Sequence, residues 1–346
     1  MLTPSDQTEL RSMTPDMLRE AIAPLGMPRF RAAQIFDWLH QKGAARFDEM
    51  TNLSKAQRTA LAERFWIAPC EIAKKQISAP DGTVKYLFRL HDGETVEGVV
   101  MRYRYGNSMC VSTQVGCRMG CRFCASGQHG LVRNLLPGEI LGQLASARRD
   151  LGESISRVVL MGMGEPLENY DNVLRFLRLV SHPEGFNIGQ RRLSLSTCGL
   201  TPQIKRLQGE GLGLTLSVSL HAPNDKIRNA LMPVNRAYPM QTLLRVCADY
   251  ASATSRRISF EYALFDGCND SDACAKELGA RLGKLLCHVN LIPANPVEAL
   301  GFRRSKPERI KAFAQLLGQQ GISVTVRRSL GGEIGAACGQ LRQSNR

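Results

Sequence analysis

The chain contains no run of about eighteen apolar residues, the length a membrane-spanning helix needs, and its opening stretch, MLTPSDQTELRSM, has no apolar leader core. A membrane-spanning or secreted protein is therefore not expected, and the cytosol is. Acidic side chains are scarce beside basic ones: 31 Asp and Glu stand against 45 Lys and Arg, a formal net charge of +14. That deficit points to an anionic partner, most often nucleic acid. No internal repeat and no low-complexity segment is present. A cytosolic chain with eleven cysteines has no use for a disulfide framework, so clustered cysteines are expected to ligate metal or carry redox chemistry. The scattered Cys70, Cys247, Cys268, Cys274 and Cys287 read as small packed hydrophobes.

The 346 residues, 43% of them hydrophobic, are enough for one large domain and a small one. The positive charge is uneven. Residues 301–346 carry nine Lys and Arg against two acids, Glu308 and Glu333, and a second excess lies at Arg102, Arg104, Arg118, Arg122 and Arg133. A concentrated excess near the cysteine cluster reads as a phosphate-binding rim, because Lys and Arg there release counterions from a nucleic-acid backbone.

Residues 1–75 read as a small helical accessory domain. Thr14-Pro15-Asp16 opens one helix, RFRAAQIFDWLHQKG supplies a second with Ile35, Phe36 and Leu39 on one face, and Ser54 caps a third. Residues 76–103 read as a β-hairpin linker, TVKYLFRL and TVEGVVMRY turning at His91-Asp92-Gly93. From 104 to 346 strands and helices alternate. Strands are predicted at 109–115, 157–162, 192–197, 214–221, 258–264 and 288–293, with a last unit in which Ser305 and Glu308 form a capping box and ISVTVRR a strand. Six strands alternating with helices predict an α/β fold, a parallel sheet or partial (β/α)6 barrel whose ligands sit at the carboxyl ends of the strands.

Cys117-Arg-Met-Gly-Cys121-Arg-Phe-Cys124 follows the first strand of that region. Three cysteines at this spacing leave one iron of a [4Fe–4S] cluster open to a substrate or cofactor. The alternative is a structural zinc in an RNA-binding protein without catalysis; zinc wants four ligands in a closed site, and His129 is the nearest fourth, without paired spacing. The stretch VVLMGMGEP (158–166) ends a strand with Gly162, Gly164 and Glu165; as a Rossmann-type glycine loop it lacks the third glycine and follows the second strand rather than the first. Ser196, Ser219, Leu220, His221 and Asn295 also stand at strand ends. Cys110 lies on the strand feeding the cluster. Cys338 sits among Gly331, Gly332, Gly335 and Gly339, which suggest a mobile loop.

C-x3-C-x2-C with an aromatic before the third Cys resembles the signature of the radical S-adenosylmethionine (SAM) enzymes. The combination CVSTQVGC, CRFCASG, MGMGEPLEN, SLHAPND, NLIPANP and AACGQL, with RFRAAQIFDWL and DGETVEGV before it, resembles the RlmN/Cfr family of rRNA adenine methyltransferases from about residue 28 to 342. The resemblance implies a radical SAM barrel, a [4Fe–4S] cluster on Cys117, Cys121 and Cys124, and SAM contacts at Gly164, Glu165, Ser196, Ser219, Leu220, His221 and Asn295. It implies that Cys338 takes a methyl group from one SAM. A second SAM then yields the radical that activates this S-methyl group for addition to adenine. The resemblance further implies that Glu97, which matches the family's assigned acceptor, or else Cys110, takes the ring proton, and that Cys110 releases the product by a transient disulfide with Cys338.

The implied substrate is adenine 2503 of 23S rRNA before full ribosome assembly, with adenine 37 of some tRNAs as a second, and the implied electron donor is a flavodoxin or ferredoxin. MGMGEPLEN and QIFDWL resemble the C2-methylating (RlmN) branch, while AYPM (237–240) and HVNLIP also resemble the C8-methylating (Cfr) branch; C2 is the expectation. Ser126 stands where both branches usually carry Thr, and Gly98 where Thr is common.

Overall fold

In the computed structural model the described residues are 7–128, 130–294 and 301–336. The N-terminal part holds β1 (Thr8–Glu9), α1 (Pro15–Ile22), α2 (Phe30–His40), α3 (Lys55–Arg64) and β2 (Phe65–Trp66). Local chemistry starts two of the three predicted helices. Thr14 Oγ1 accepts from the Met17 amide, with Pro15 in the first turn. Ser54 and Gln57 exchange side-chain and backbone bonds in a capping box. The predicted apolar face of α2 is buried at Ile35, Phe36 and Leu39.

The next strands are β3 (Glu71–Ile77), β4 (Val84–Arg89), β5 (Thr95–Tyr103) and β6 (Gly106–Cys110). The hairpin expected at 83–103 is present, with Gly93 at φ 85° in its turn. It is preceded by β3, an extra antiparallel strand that spans the expected boundary between residues 75 and 76. Its sequence, EIAKKQI, is largely exposed and polar, so it lacks the apolar alternation that marks a half-buried strand.

A small hairpin, β7 (Gln114–Gly116) with β8 (Leu131–Asn134), precedes α4 (Pro137–Leu151) and β9 (Ile155–Leu160). Then follow α5 (Tyr170–Val180), β10 (Leu193–Thr197), α6 (Thr201–Gln208), β11 (Thr215–Ser219), α7 (Asp225–Leu231), α8 (Met240–Thr254) and β12 (Ile258–Leu264). The described chain closes with α9 (Asp272–Leu282), β13 (Cys287–Pro293), α10 (Pro307–Gln319) and β14 (Val324–Val326).

One sheet runs through the molecule in the order β14-β13-β12-β11-β10-β9-β6-β5-β4-β3. From β6 to β14 every neighbour is parallel, and from β3 to β6 every neighbour is antiparallel. No described ladder joins β14 to β3, so the barrel is open, as the alternation predicts. Its strands bury near-continuous apolar faces, for example Phe260, Tyr262 and Leu264 of β12, under the surrounding helices.

Two local expectations are corrected. The strand predicted at 109–115 ends at Cys110, because the chain turns over the loop after β9: the Gly162 amide donates to Val111 O, and the Thr113 amide to Met163 O. The capping box predicted at Ser305 does not form. Pro307 starts α10 one residue later, behind Lys306, and the Ser305 hydroxyl instead donates to Asp270 at 2.7 Å.

The segment before α1 docks on α4. Ser12 Oγ accepts from the Gly138 amide, and a Cβ at Gly138 would stand 2.0 Å from the Glu9 carboxylate, so the close approach requires glycine. Of the scattered cysteines, Cys70, Cys247 and Cys274 are buried as expected, and Cys268 and Cys287 are half-buried. No helix among the described residues is long and apolar enough to cross a membrane.

Candidate active site

The cysteine loop begins where β7 and β8 pinch together. The Cys117 amide donates to Gly130 O at 2.8 Å, and a Cβ at Gly116, φ 76°, would overlap that same carbonyl. From there the loop is pinned to α7 by the Arg122 amide, which donates to Leu231 O. Cys117, Cys121 and Cys124 line one cavity at the carboxyl ends of the strands, shared with Phe123, Gly164, Glu165, Ser196, Ser219 and His221. Burial pushes the Cys117 thiol up to about 12, so a thiolate there depends on ligation. No three His, Cys, Asp or Glu side chains among the described residues converge as ligands of a single ion. Three thiols spread around one cavity suit the separated corners of a four-iron cube.

The remaining predicted cofactor residues are held by main chain. Glu165 is buried, and its carboxylate accepts from the Leu167 amide at 3.0 Å and the Cys198 amide at 2.7 Å. Desolvation nevertheless raises its pKa, which favours a cationic ligand beside it. Gly164 has φ 103°, and a Cβ there would stand 2.6 Å from Gln114 Cβ. His221 sits at φ 54° with Nδ1 accepting from the Ala263 amide at 2.9 Å, which leaves the proton on Nε2. Burial, then the charge of Arg228, lowers its pKa to about 3, so it is neutral. Phe123, the aromatic before the third cysteine, packs edge-on against this ring with centroids 4.9 Å apart. Leu220 differs from the others: it does not line the cavity, its side chain is fully buried in the core, and its backbone bonds stay within the fold, the amide donating to Glu261 O and the carbonyl accepting from Arg228 Nε. Asn295 and Cys338 lie outside the described residues.

Glu97 and Cys110 occupy the antiparallel side of the sheet. Cys110 is paired with Val99, two residues from Glu97, so both side chains share one face. The Ser112 hydroxyl donates to Glu97 O at 2.6 Å and accepts from the Met163 amide at 2.9 Å, which ties this corner to the loop before Gly164. Glu97 itself is buried and pairs with Lys85, Nζ to Oε1, at 2.7 Å.

Residues 111–275 match the model of the radical SAM superfamily, and residues 8–67 match that of the ribosomal RNA large subunit methyltransferase N-terminal domain. The chain is 51% identical over 339 residues to a probable dual-specificity RNA methyltransferase RlmN of Desulforamulus reducens, covering 98% of this chain and 97% of that one. It is 52% identical to the namesake of Pelotomaculum thermopropionicum, covering 98% and 92%. The chain belongs to the RlmN family of radical SAM RNA methyltransferases. Its fold agrees: the crystal structure of a radical SAM methyltransferase from Sphaerobacter thermophilus superposes with a TM-score of 0.94 at 47% identity, over 97% of this chain and all of that one. Radical SAM enzymes use a [4Fe–4S] cluster and SAM.

Within this RlmN-family chain, the Gly98 departure has a packing reason. A Cβ there would stand 2.9 Å from the Phe88 ring and 3.2 Å from Met109 Cε, so larger neighbours occupy the space a threonine would take. Sequence reading missed Glu261, Arg327, Cys198 and Met161, all of which line the cavity. Glu261 had a signal, a lone acid in the apolar strand ISFEYAL; it is buried and accepts from Asn290 Nδ2 at 2.7 Å.

The rim of five arginines is weaker than expected. Arg133 is engaged bidentately by Glu139 and also by Asp92, Arg102 by Glu153, and Arg118 by Glu168. Arg104 and Arg122 are exposed and make no ion pair among the described residues. Of the acids that neutralise the other three, Glu139 lies six positions from Arg133, while Asp92, Glu168 and Glu153 lie 41, 50 and 51 positions from their partners, beyond a local charge count.

Proposed function

We propose that this chain methylates C2 of adenine 2503 in 23S rRNA, and C2 of adenine 37 in tRNAs, through a methylated cysteine. The observation that carries the reading is the gathering of Cys117, Cys121, Cys124, Gly164, Glu165, Ser196, Ser219 and His221 around one cavity. The chain that builds it aligns end to end with enzymes named as dual-specificity RNA methyltransferases.

Cys117, Cys121 and Cys124 would hold the cluster, and Glu165 with the strand-end serines and His221 would hold SAM. When bound, this pair supplies a methyl group and a one-electron route to hydrogen abstraction. The protein's own residues do the rest. Cys338, as thiolate, accepts the methyl group and becomes the atom through which carbon reaches the base. C2 of adenine is electron-poor and no nucleophile, so direct displacement on SAM is closed to it and a cysteine-borne carbon is required. Glu97 takes the ring proton. Cys110 attacks Cys338 sulfur, and the disulfide that forms releases the methylated base and awaits external reductant. The target base must leave its stack at a cost of roughly a few kcal/mol. The N-terminal helices (within 1–75) and the basic residues after 301 are the sources of offsetting contacts.

The test is anaerobic reconstitution with iron, sulfide, SAM and reductant, then incubation with a 23S rRNA fragment or with tRNA and mass spectrometry of the nucleosides. 2-Methyladenosine from both RNAs is the expected result. 8-Methyladenosine would move the chain to the C8 chemistry, and a colourless zinc-loaded protein without product would sink the enzymatic reading.

A further inference from the structure

The segment before Cys338 is docked on the antiparallel extension of the sheet by two side chains to which neither the sequence nor the family comparison assigns a role. Lys85 Nζ lies 2.7 Å from Glu97 Oε1 and donates to the carbonyl of Gly335 at 3.1 Å. Its side chain is 10% exposed and that of Glu97 2%. One turn back, Asp81 Oδ2 accepts from the Gly331 amide at 2.9 Å, while its Oδ1 accepts from the Thr83 amide at 2.9 Å. Gly331 adopts φ 60°, and a Cβ there would stand 2.9 Å from Thr83 Cγ2 and Ala336 Cβ, so the loop seats closely on the turn between β3 and β4.

The register explains why Lys85 reaches Glu97. Lys85 pairs with Val99 and Leu87 with Glu97, and Val99 also pairs with Cys110. Directly paired residues project to the same side, so Lys85, Glu97 and Cys110 share a face across three strands. A lysine pointing into that face would be costly without a partner. Here it has two, one on the carboxylate and one on the loop three residues before Cys338.

We propose that Lys85 is a positioning residue that registers the Cys338 loop against Glu97, with Asp81 as the second tether. The inference rests on the reading of Glu97 as the proton acceptor and Cys338 as the carbon carrier. The step it serves is a proton transfer: the C2–H bond of the RNA–Cys338 adduct breaks, its electron pair stays in the ring, and the proton moves to the Glu97 carboxylate. That transfer needs the ring, delivered by the loop, and the carboxylate at one fixed separation. Lys85 touches both and thereby holds the two parts, more than two hundred residues apart in sequence, in one frame.

The test follows the covalent protein–RNA adduct on cluster-loaded protein, with 5′-deoxyadenosine formation as the measure of an intact SAM site. Lys85→Met is expected to cleave SAM and form the adduct, but to resolve it about 100-fold more slowly, the size of effect that a misplacement near 1 Å produces. Lys85→Arg, which keeps the cation and its donors, is expected to recover most of that loss. Resolution by Lys85→Met at the wild-type rate overturns the proposal, and so does slow resolution that arginine fails to rescue, because packing alone would then explain it. Should Lys85→Met fail to cleave SAM, Asp81→Asn carries the test, since it loosens the loop without touching Glu97; slowed resolution supports the docking and a wild-type rate overturns it. Glu97→Gln separates the two levels. If it resolves the adduct normally, the reading of Glu97 falls; if it stalls while Lys85→Met does not, only the role of Lys85 falls.

Discussion

The two halves of the one sheet solve different problems. In the parallel half, from β6 to β14, functional groups sit at strand ends and are aimed by backbone: Glu165 by the amides of Leu167 and Cys198, His221 by the amide of Ala263. In the antiparallel half, from β3 to β6, the functional groups lie within strands and are aimed by one another, Glu97 by Lys85 across two strands. The first arrangement suits a pocket that must keep its shape while SAM enters and leaves, because backbone amides are fixed by the fold. The second suits groups that must be set against a distant part of the chain, because Lys85 bonds both Glu97 and the carbonyl of Gly335.

Breaking each half should leave a different remnant. Cys121→Ala is expected to lose iron, sulfide and every measurable activity, read by metal analysis and 5′-deoxyadenosine yield. Cys338→Ala should lose methyl transfer completely yet still cleave SAM with dithionite, and Cys110→Ala should trap the protein–RNA adduct on a denaturing gel. If Cys338→Ala also failed to cleave SAM, the two halves would not be separable in this way.

Glu165→Gln removes a charge-assisted contact worth roughly 1.5–3 kcal/mol and should weaken SAM binding about tenfold or more, measured by equilibrium binding to cluster-loaded protein. An unchanged affinity would take Glu165 out of the cofactor site.

A third region shows what burial alone does to a titratable side chain. His40, at the end of α2, is buried and tilted against Phe36 with ring centroids 4.1 Å apart, and neither ring nitrogen has a hydrogen-bond partner among the described residues. Burial, then the charges of Arg11 and His182, lowers its pKa from 6.5 to about 3. The unfolded chain therefore binds the proton more readily between those values. Its contribution is complete above pH 6.5 and is lost progressively as pH falls toward 3, by about 1.4 kcal/mol per pH unit. His221 behaves alike in the parallel half. His40→Phe should remove roughly half of the combined loss, about 2 kcal/mol at pH 5, in urea midpoints compared with those at pH 7. A parallel shift of both midpoints would show that folding does not lower the His40 pKa.

The smallest effect expected is on RNA affinity. Exposed Arg328 is a member of the basic excess, and Arg328→Gln should lower the salt slope of rRNA-fragment binding by about 0.9 if it meets one phosphate. A flat salt response of the wild-type protein would count against the basic surface as the RNA site.

Much of this was legible in the chain itself. The cysteine triplet, the strand-end Gly164-Glu165 and the open β/α barrel are local patterns, because ligand spacing and strand-helix alternation are set within a few residues. The partners of Arg133, Arg102 and Arg118 were not, and neither were β3 or the role of Lys85. DGTVKYLF reads as a strand, and nothing in it says which way its lysine faces or what it meets.

The sequence by itself determined which groups can ligate iron and which strands of the parallel half exist, since these follow from residue type and short-range periodicity. Only the tertiary structure decided which charges survive pairing and which side chains share a face. It also decided that the glycine-rich loop before Cys338 rests on Lys85 and Asp81. The physical reason is that register is a property of two strands together: a shift of one residue would have turned Lys85 away from Glu97 while leaving every local signal unchanged.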